Sequence, residues 1–150
     1  MATETLLNIA VVGLLSFTIL FTFLIGGRLE KYGAAIFALG TIGTWTVQTT
    51  ANSQFSLVGF MLVDFTQAAA FASLIVLDKR KLWPGAATCA QLLVFVFSAT
   101  RAVNFPLSDF ALLIMLNVCA VAVELTLILG ACAHRWNWGR ADDVDFEFAA

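Results

Sequence analysis

Charged side chains are scarce in this chain. Only 12% of its 150 residues are Asp, Glu, Lys or Arg, whereas 61% are hydrophobic. A soluble domain of this length needs more polar residues to cover its core. A nucleic-acid-binding protein needs a basic surface, and a net charge of −2 does not indicate one. The composition therefore predicts a polytopic, all-α membrane protein with no nucleic-acid partner.

Residues that carry catalysis or bind metals are also few. His134 is the single histidine, so a bis-histidine haem cannot form, and no His/Cys/carboxylate cluster has metal-ligand spacing. A histidine-assisted serine triad is equally disfavoured, because His134 follows the last apolar run. The three cysteines lie in or at the end of apolar runs and form no CxxC pair. We therefore expect no enzymatic activity, no metal site and no cofactor other than bound lipids.

Five apolar runs are separated by short polar or charged stretches. At about 1.5 Å per residue the longer runs reach the roughly 30 Å of a bilayer core. The chain is expected to turn over 28–32, after the first run, and the second run is short and can instead be a re-entrant or surface helix. The predicted spans of the transmembrane helix bundle are 6–25, 33–48, 55–77, 84–100 and 110–132. They define a transmembrane domain over 1–132 and a cytoplasmic aromatic and acidic tail over 133–150.

The basic residues predict an orientation. Basic loops stay on the cytoplasmic side of a membrane, and five spans place all but one of the Lys and Arg residues on the same side, leaving Arg101 alone on the other. With four spans, if the second run did not cross the membrane, Arg28 and Lys31 would lie across the membrane from Lys79. We expect a bacterial inner-membrane (plasma-membrane) protein with its N-terminus outside and its C-terminus cytoplasmic. The cytoplasmic set is Arg28, Lys31, Lys79, Arg80, Lys81, Arg135 and Arg140.

Polar residues inside the apolar runs are the candidate functional groups, since ionisable side chains in lipid are costly. Helical spacing places Asp64 and Gln67 on one face and Asn117 and Glu124 on another. Two hypotheses follow: interhelical hydrogen bonding with uncharged carboxyls, or a proton or cation path through Asp64 and Glu124 with Arg101 as a counter-charge. The full candidate set is Asp64, Gln67, Gln91, Arg101, Asn117 and Glu124.

Small and aromatic residues predict packing and membrane boundaries. Small side chains let helix backbones approach closely in lipid, and Tyr and Trp favour the interface between lipid and water. The predicted packing positions are Gly40, Gly43, Ala69 and Ser73, and the predicted interface anchors are Tyr32, Trp83, Trp136 and Trp138.

One stretch of the chain carries a spaced pattern. Arg80 is followed by Trp83-Pro84, then by Gln91 and Arg101, and Asp64 lies in the preceding run. Over 77–106 the chain resembles a group of small bacterial inner-membrane proteins, which typically have a histidine where Ser98 stands here. The resemblance covers about a third of the chain and implies membrane insertion but no activity.

These observations predict a non-catalytic membrane protein. It would be an accessory or structural subunit of a larger inner-membrane assembly, or a bundle that associates with itself, so its partners would be membrane lipids and other membrane subunits or further copies. The alternative is a small proton- or cation-coupled transporter or channel that uses Asp64 and Glu124. An odd number of spans weakens an internal inverted repeat but permits an oligomeric pore.

Overall fold

A computed structural model describes residues 2–50, 53–79, 81–102 and 109–145. Over these ranges the chain is all-α, with no strand. Its helices are α1 (Ala2–Ile25), α2 (Arg28–Thr50), α3 (Ser53–Leu77), α4 (Trp83–Ala102) and α5 (Asp109–Asp145).

The turn between α1 and α2 is shorter than predicted. Only Gly26 and Gly27 are non-helical, and the Gly26 amide still donates to the Thr22 carbonyl at 2.9 Å. The Lys31 amide then donates to the Gly27 carbonyl at 3.0 Å, and this hydrogen bond belongs to the first turn of α2. Glu30 lies in this first turn, where a negative charge is favoured by the helix dipole. The predicted turn over 28–32 is therefore wrong.

The last helix is longer than its apolar run. The predicted span ends at residue 132, but α5 continues to Asp145. An α-helix satisfies its backbone internally and does not need apolar side chains to continue. The first part of the predicted tail is thus a helical extension of the bundle, and residues 146–150 lie outside the described part.

The five helices form a ring. Each helix packs against its neighbours in sequence, and α5 also packs against α1 and, across the middle, against α2. The core between them is made of aromatic, aliphatic and small side chains from α2, α3, α4 and α5. Its members are Phe37, Phe71, Leu74, Trp83, Ala87, Ala90, Val123 and Leu127.

Among the described residues, three segments are long and apolar enough to cross a membrane: Leu57–Leu77, Trp83–Thr100 and Ile114–Trp136. Val12–Ile25 in α1 is a shorter apolar helix. Large apolar side chains also cover the outside of the bundle, for example Leu24 at 75% and Val76 at 74% exposure. Such a surface is typical of a protein that faces lipid.

Candidate functional site

Two polar clusters lie between the helices, and the first joins α3 to α4. The buried Asp64 carboxylate accepts a hydrogen bond at Oδ1 from Gln91 Nε2 at 3.3 Å. Its Oδ2 accepts one from Ser98 Oγ at 2.9 Å. Both partners are on α4, two turns of helix apart, so one carboxylate fixes α3 against α4. We call Asp64, Gln91 and Ser98 the α3–α4 seam.

Close helix approaches lie next to this seam. A Cβ placed on Gly40 would overlap the carboxamide of the buried Gln67, and one on Gly43 would lie 3.3 Å from Val63 Cγ2. The two glycines assigned to packing therefore lie against α3. Ala69 and Ser73 are on the exposed side of α3, where the Ser73 hydroxyl donates to the Ala70 carbonyl at 2.6 Å.

The second cluster lies where the α1–α2 turn, Lys81 and His134 meet, here called the Lys81 end. Its centre is Glu30, whose side chain is fully buried. Glu30 Oε1 accepts a hydrogen bond from Lys81 Nζ at 2.6 Å and another from Trp83 Nε1 at 3.1 Å. Its Oε2 is buried and has no hydrogen-bond partner.

His134 is the next polar group beside Glu30. A Cβ placed on Gly27 would lie 2.8 Å from His134 Nε2 and 3.0 Å from Glu30 Oε2. The imidazole and the free carboxylate oxygen therefore border the same small space. Gly27 keeps this space open, because any other residue would place its Cβ between the two groups.

Trp83 is part of this cluster and not an interface anchor. Its side chain is 8% exposed, and Cβ atoms on Gly33 or Gly130 would lie within 3 Å of its indole ring. The sequence prediction placed Trp83 at the lipid–water interface because Trp side chains favour that region of a membrane. The glycines of α2 and α5 instead leave room for the ring, and Glu30 satisfies its N–H group.

Three more buried oxygens lack a partner. They are Thr18 Oγ1 and Thr22 Oγ1 on α1, and Glu124 Oε2 on α5. Threonines in helices usually donate to the carbonyl one turn earlier, as Thr41 and Thr66 do here at 2.9 and 2.8 Å. Thr18 and Thr22 depart from that pattern, although both are fully buried. With Glu30 they make up the complete set of partnerless buried side-chain oxygens among the described residues.

The remaining predicted residues lie outside both clusters. Asn117 is exposed, although it is two turns from the buried Glu124, so the structure does not bring the two into one interior stripe. Tyr32 and Trp136 are exposed, at 57% and 72%. Arg101 and Trp138 lie within α4 and α5, but their side chains are outside the described part, as is Arg80 altogether.

Sequence reasoning missed Glu30, Thr18 and Thr22. Glu30 lies in a charged stretch that was interpreted as a turn, and its burial depends on Lys81, which is 51 residues away in the chain. A usable signal is the acidic residue placed between the bases Arg28 and Lys31. The two threonines carry no such signal, because threonine is common in lipid-facing helices.

The chemistry open to these clusters is hydrogen bonding and proton exchange. No group of three or more His, Cys, Asp or Glu side chains within the described ranges is placed to hold a metal ion. No family model, curated protein or solved structure matches the chain. The resemblance over 77–106 therefore stays a prediction, and of its residues Asp64 and Gln91 bond to each other, with Ser98 completing the group.

Proposed function

We propose that this chain is a non-catalytic integral membrane protein of the bacterial inner membrane. It acts as an accessory or structural subunit of a larger assembly, or it associates with itself. The observation that carries the proposal is the Asp64 carboxylate, whose two oxygens are both engaged by α4. An intramembrane acid held in this way is a structural connection between helices.

The proposed topology has five spans, with the N-terminus outside and the Lys81 end in the cytoplasm. The distribution of Lys and Arg supports it, because seven of eight fall at one end under this arrangement. Single cysteines at Ser53 and Ala141, introduced after Cys89, Cys119 and Cys132 are replaced by Ala, should react with a membrane-impermeant maleimide from opposite sides. Reaction of both from one side would refute five spans.

Assembly can be tested with the native cysteines. Cys89 on α4 and Cys132 on α5 are exposed, whereas Cys119 is buried. Extraction in a native-membrane polymer followed by mass measurement should give a complex larger than one chain. If copies associate, mild oxidation in the membrane should form a dimer that disappears in Cys89→Ser or Cys132→Ser and persists in the control Cys119→Ser. A particle containing a single chain and no other protein would contradict the proposal.

A second candidate function is proton- or cation-coupled transport. The observation that favours it is Glu124, which is buried and has a partnerless Oε2. Asp64 does not share this property. In reconstituted vesicles, a pH-driven flux should therefore stop in Glu124→Gln and survive in Asp64→Asn, while both variants keep the fold of the parent protein. A flux kept in Glu124→Gln would exclude Glu124 as its proton-binding group, and the absence of any pH-driven flux in the parent protein would exclude this candidate.

A further inference from the structure

We propose that Glu124 binds a proton that reaches it from the Lys81 end, along the line of Thr18, Thr22 and Glu30. These residues, with Glu124 at the inner end and His134 at the outer end, are called the α1–α2–α5 seam. The inference rests on the second candidate function and names its site and its direction of access. It uses all four partnerless buried oxygens of the described residues and leaves Asp64 out.

The first step is the direction in which Glu124 faces. Trp83 of α4 covers Gly130, and Leu127 lies against Gly33 of α2. With about 100° between successive residues, Glu124 lies about 120° around α5 from Gly130. Going around α5, the side that carries Glu124 therefore comes after the side that faces α2 and is turned away from α4. Since α5 packs against α4, α2 and α1, the buried Glu124 faces α1.

The second step is depth. Gly27, just after α1, lies against His134 of α5, so α1 and α5 run toward the Lys81 end together. At about 1.5 Å per residue, Thr18 lies about 14 Å from Gly27 and Glu124 about 15 Å from His134. Thr18 and Glu124 thus lie at the same level, near the middle of a bilayer core of about 30 Å.

The third step joins this level to the Lys81 end. Thr22 is one helical turn closer to that end than Thr18. A Cβ on Gly26 would lie 2.6 Å from both the Thr22 carbonyl and Glu30 Cβ, so the backbone of Thr22 adjoins the side chain of Glu30, and Glu30 Oε2 borders His134. Thr18 and Thr22 are one turn apart, near 5.4 Å along the axis, a gap that one bridging water can span. The hydroxyls can donate and accept, as a relay requires.

The charged groups around the seam fit proton binding at Glu124. No residue of α1 between Val12 and Ile25 is ionisable. Lys81 is held by Glu30 Oε1, and Cys119 is about 140° around α5 from Glu124. The bases Arg28, Lys31 and Arg135 are exposed at the Lys81 end. Among the described side chains, Glu124 therefore has no cationic partner at its own depth, and a proton from water converts its carboxylate to a neutral carboxyl, which lipid tolerates.

The test is carbodiimide labelling of the full-length protein in lipid nanodiscs, mapped by mass spectrometry. Dicyclohexylcarbodiimide takes the proton of a protonated carboxyl onto its own nitrogen, and the carboxylate then adds to its central carbon. We expect the label on Glu124, falling about tenfold per pH unit above the midpoint of its titration. Asp64, held by two hydrogen bonds, should stay unlabelled and is the internal control.

Access is tested in sealed vesicles with known orientation. Labelling of Glu124 should follow the pH on the side of the Lys81 end and ignore the pH on the other side. Thr18→Val should slow labelling about fivefold, the factor for one hydrogen bond, and Thr88→Val, on α4, should not. Label on Asp64 instead of Glu124, no label on Glu124, or control by the opposite side would each overturn the site. Labelling without vesicle flux would leave the site standing and remove only the transport function.

Discussion

The two seams of this bundle both contain a buried carboxyl group and hydroxyl groups, but they differ in how the carboxyl oxygens are hydrogen-bonded. In the α3–α4 seam, Asp64 has a donor for each carboxylate oxygen. In the α1–α2–α5 seam, Glu124 has a buried oxygen with no donor, although it is as deeply buried as Asp64, at 5% against 8% exposure. Burial alone therefore does not distinguish a structural acid from a candidate functional one. The presence of hydrogen-bond partners does.

The largest expected effect comes from breaking the Lys81 end. Lys81→Met removes the cation that pairs with the fully buried Glu30, leaving Trp83 as its only donor among the described residues. Removing one partner of a buried pair costs about 3 to 5 kcal/mol, and the lower value is expected because Lys81 is 28% exposed. The measurement is the free energy of unfolding in mixed detergent micelles.

The matched control for this change is Lys79→Met, in an exposed position of the same connection between α3 and α4. It should shift the free energy of unfolding by no more than about 0.5 kcal/mol. Equal losses in the two variants would mean that the Glu30 pair does not stabilise the bundle.

Replacing Asp64 and Glu124 by leucine should change the free energy of unfolding in different ways. Asp64→Leu leaves the Gln91 amide and the Ser98 hydroxyl without their acceptor, which costs about 1 to 3 kcal/mol. Glu124→Leu removes an unpartnered polar atom and should be neutral or stabilising. Unfolding of both variants under the same conditions checks this difference. A loss of similar size at both positions would remove the distinction between the seams.

The smallest expected loss within the α3–α4 seam comes from the isosteric change Asp64→Asn. The amide keeps the shape of the carboxyl and can still accept from Ser98, so the loss should be near the 0.6 kcal/mol typical of an interhelical hydrogen bond in membranes. Thermal unfolding of the variant and the parent in the same lipid measures it. A loss of several kcal/mol would show that the charge of Asp64, and not its geometry, holds α3 to α4.

The sequence predicted the all-α class and five helices, of which three in the described ranges are long and apolar enough to cross a membrane. It also singled out Asp64, Gln67, Gln91 and Glu124 as polar residues within apolar runs, and all four are buried. These follow from local pattern, because a polar residue within an apolar run is conspicuous. Partner choice is not local. Glu30 and Trp83 were misplaced because their surroundings are built by Lys81, His134 and the glycines that face them across the bundle.

The contact between the first helix and the last also has a consequence for biosynthesis. A ribosome delivers α1 long before α5, and α1 packs against α5 in the finished bundle. During that interval Thr18 and Thr22 lack the helix that buries them, and only the hairpin with α2 is available to shield them. A nascent chain halted before residue 109 should therefore remain susceptible to quality-control proteases of the membrane, and release of α5 should be the event that protects it.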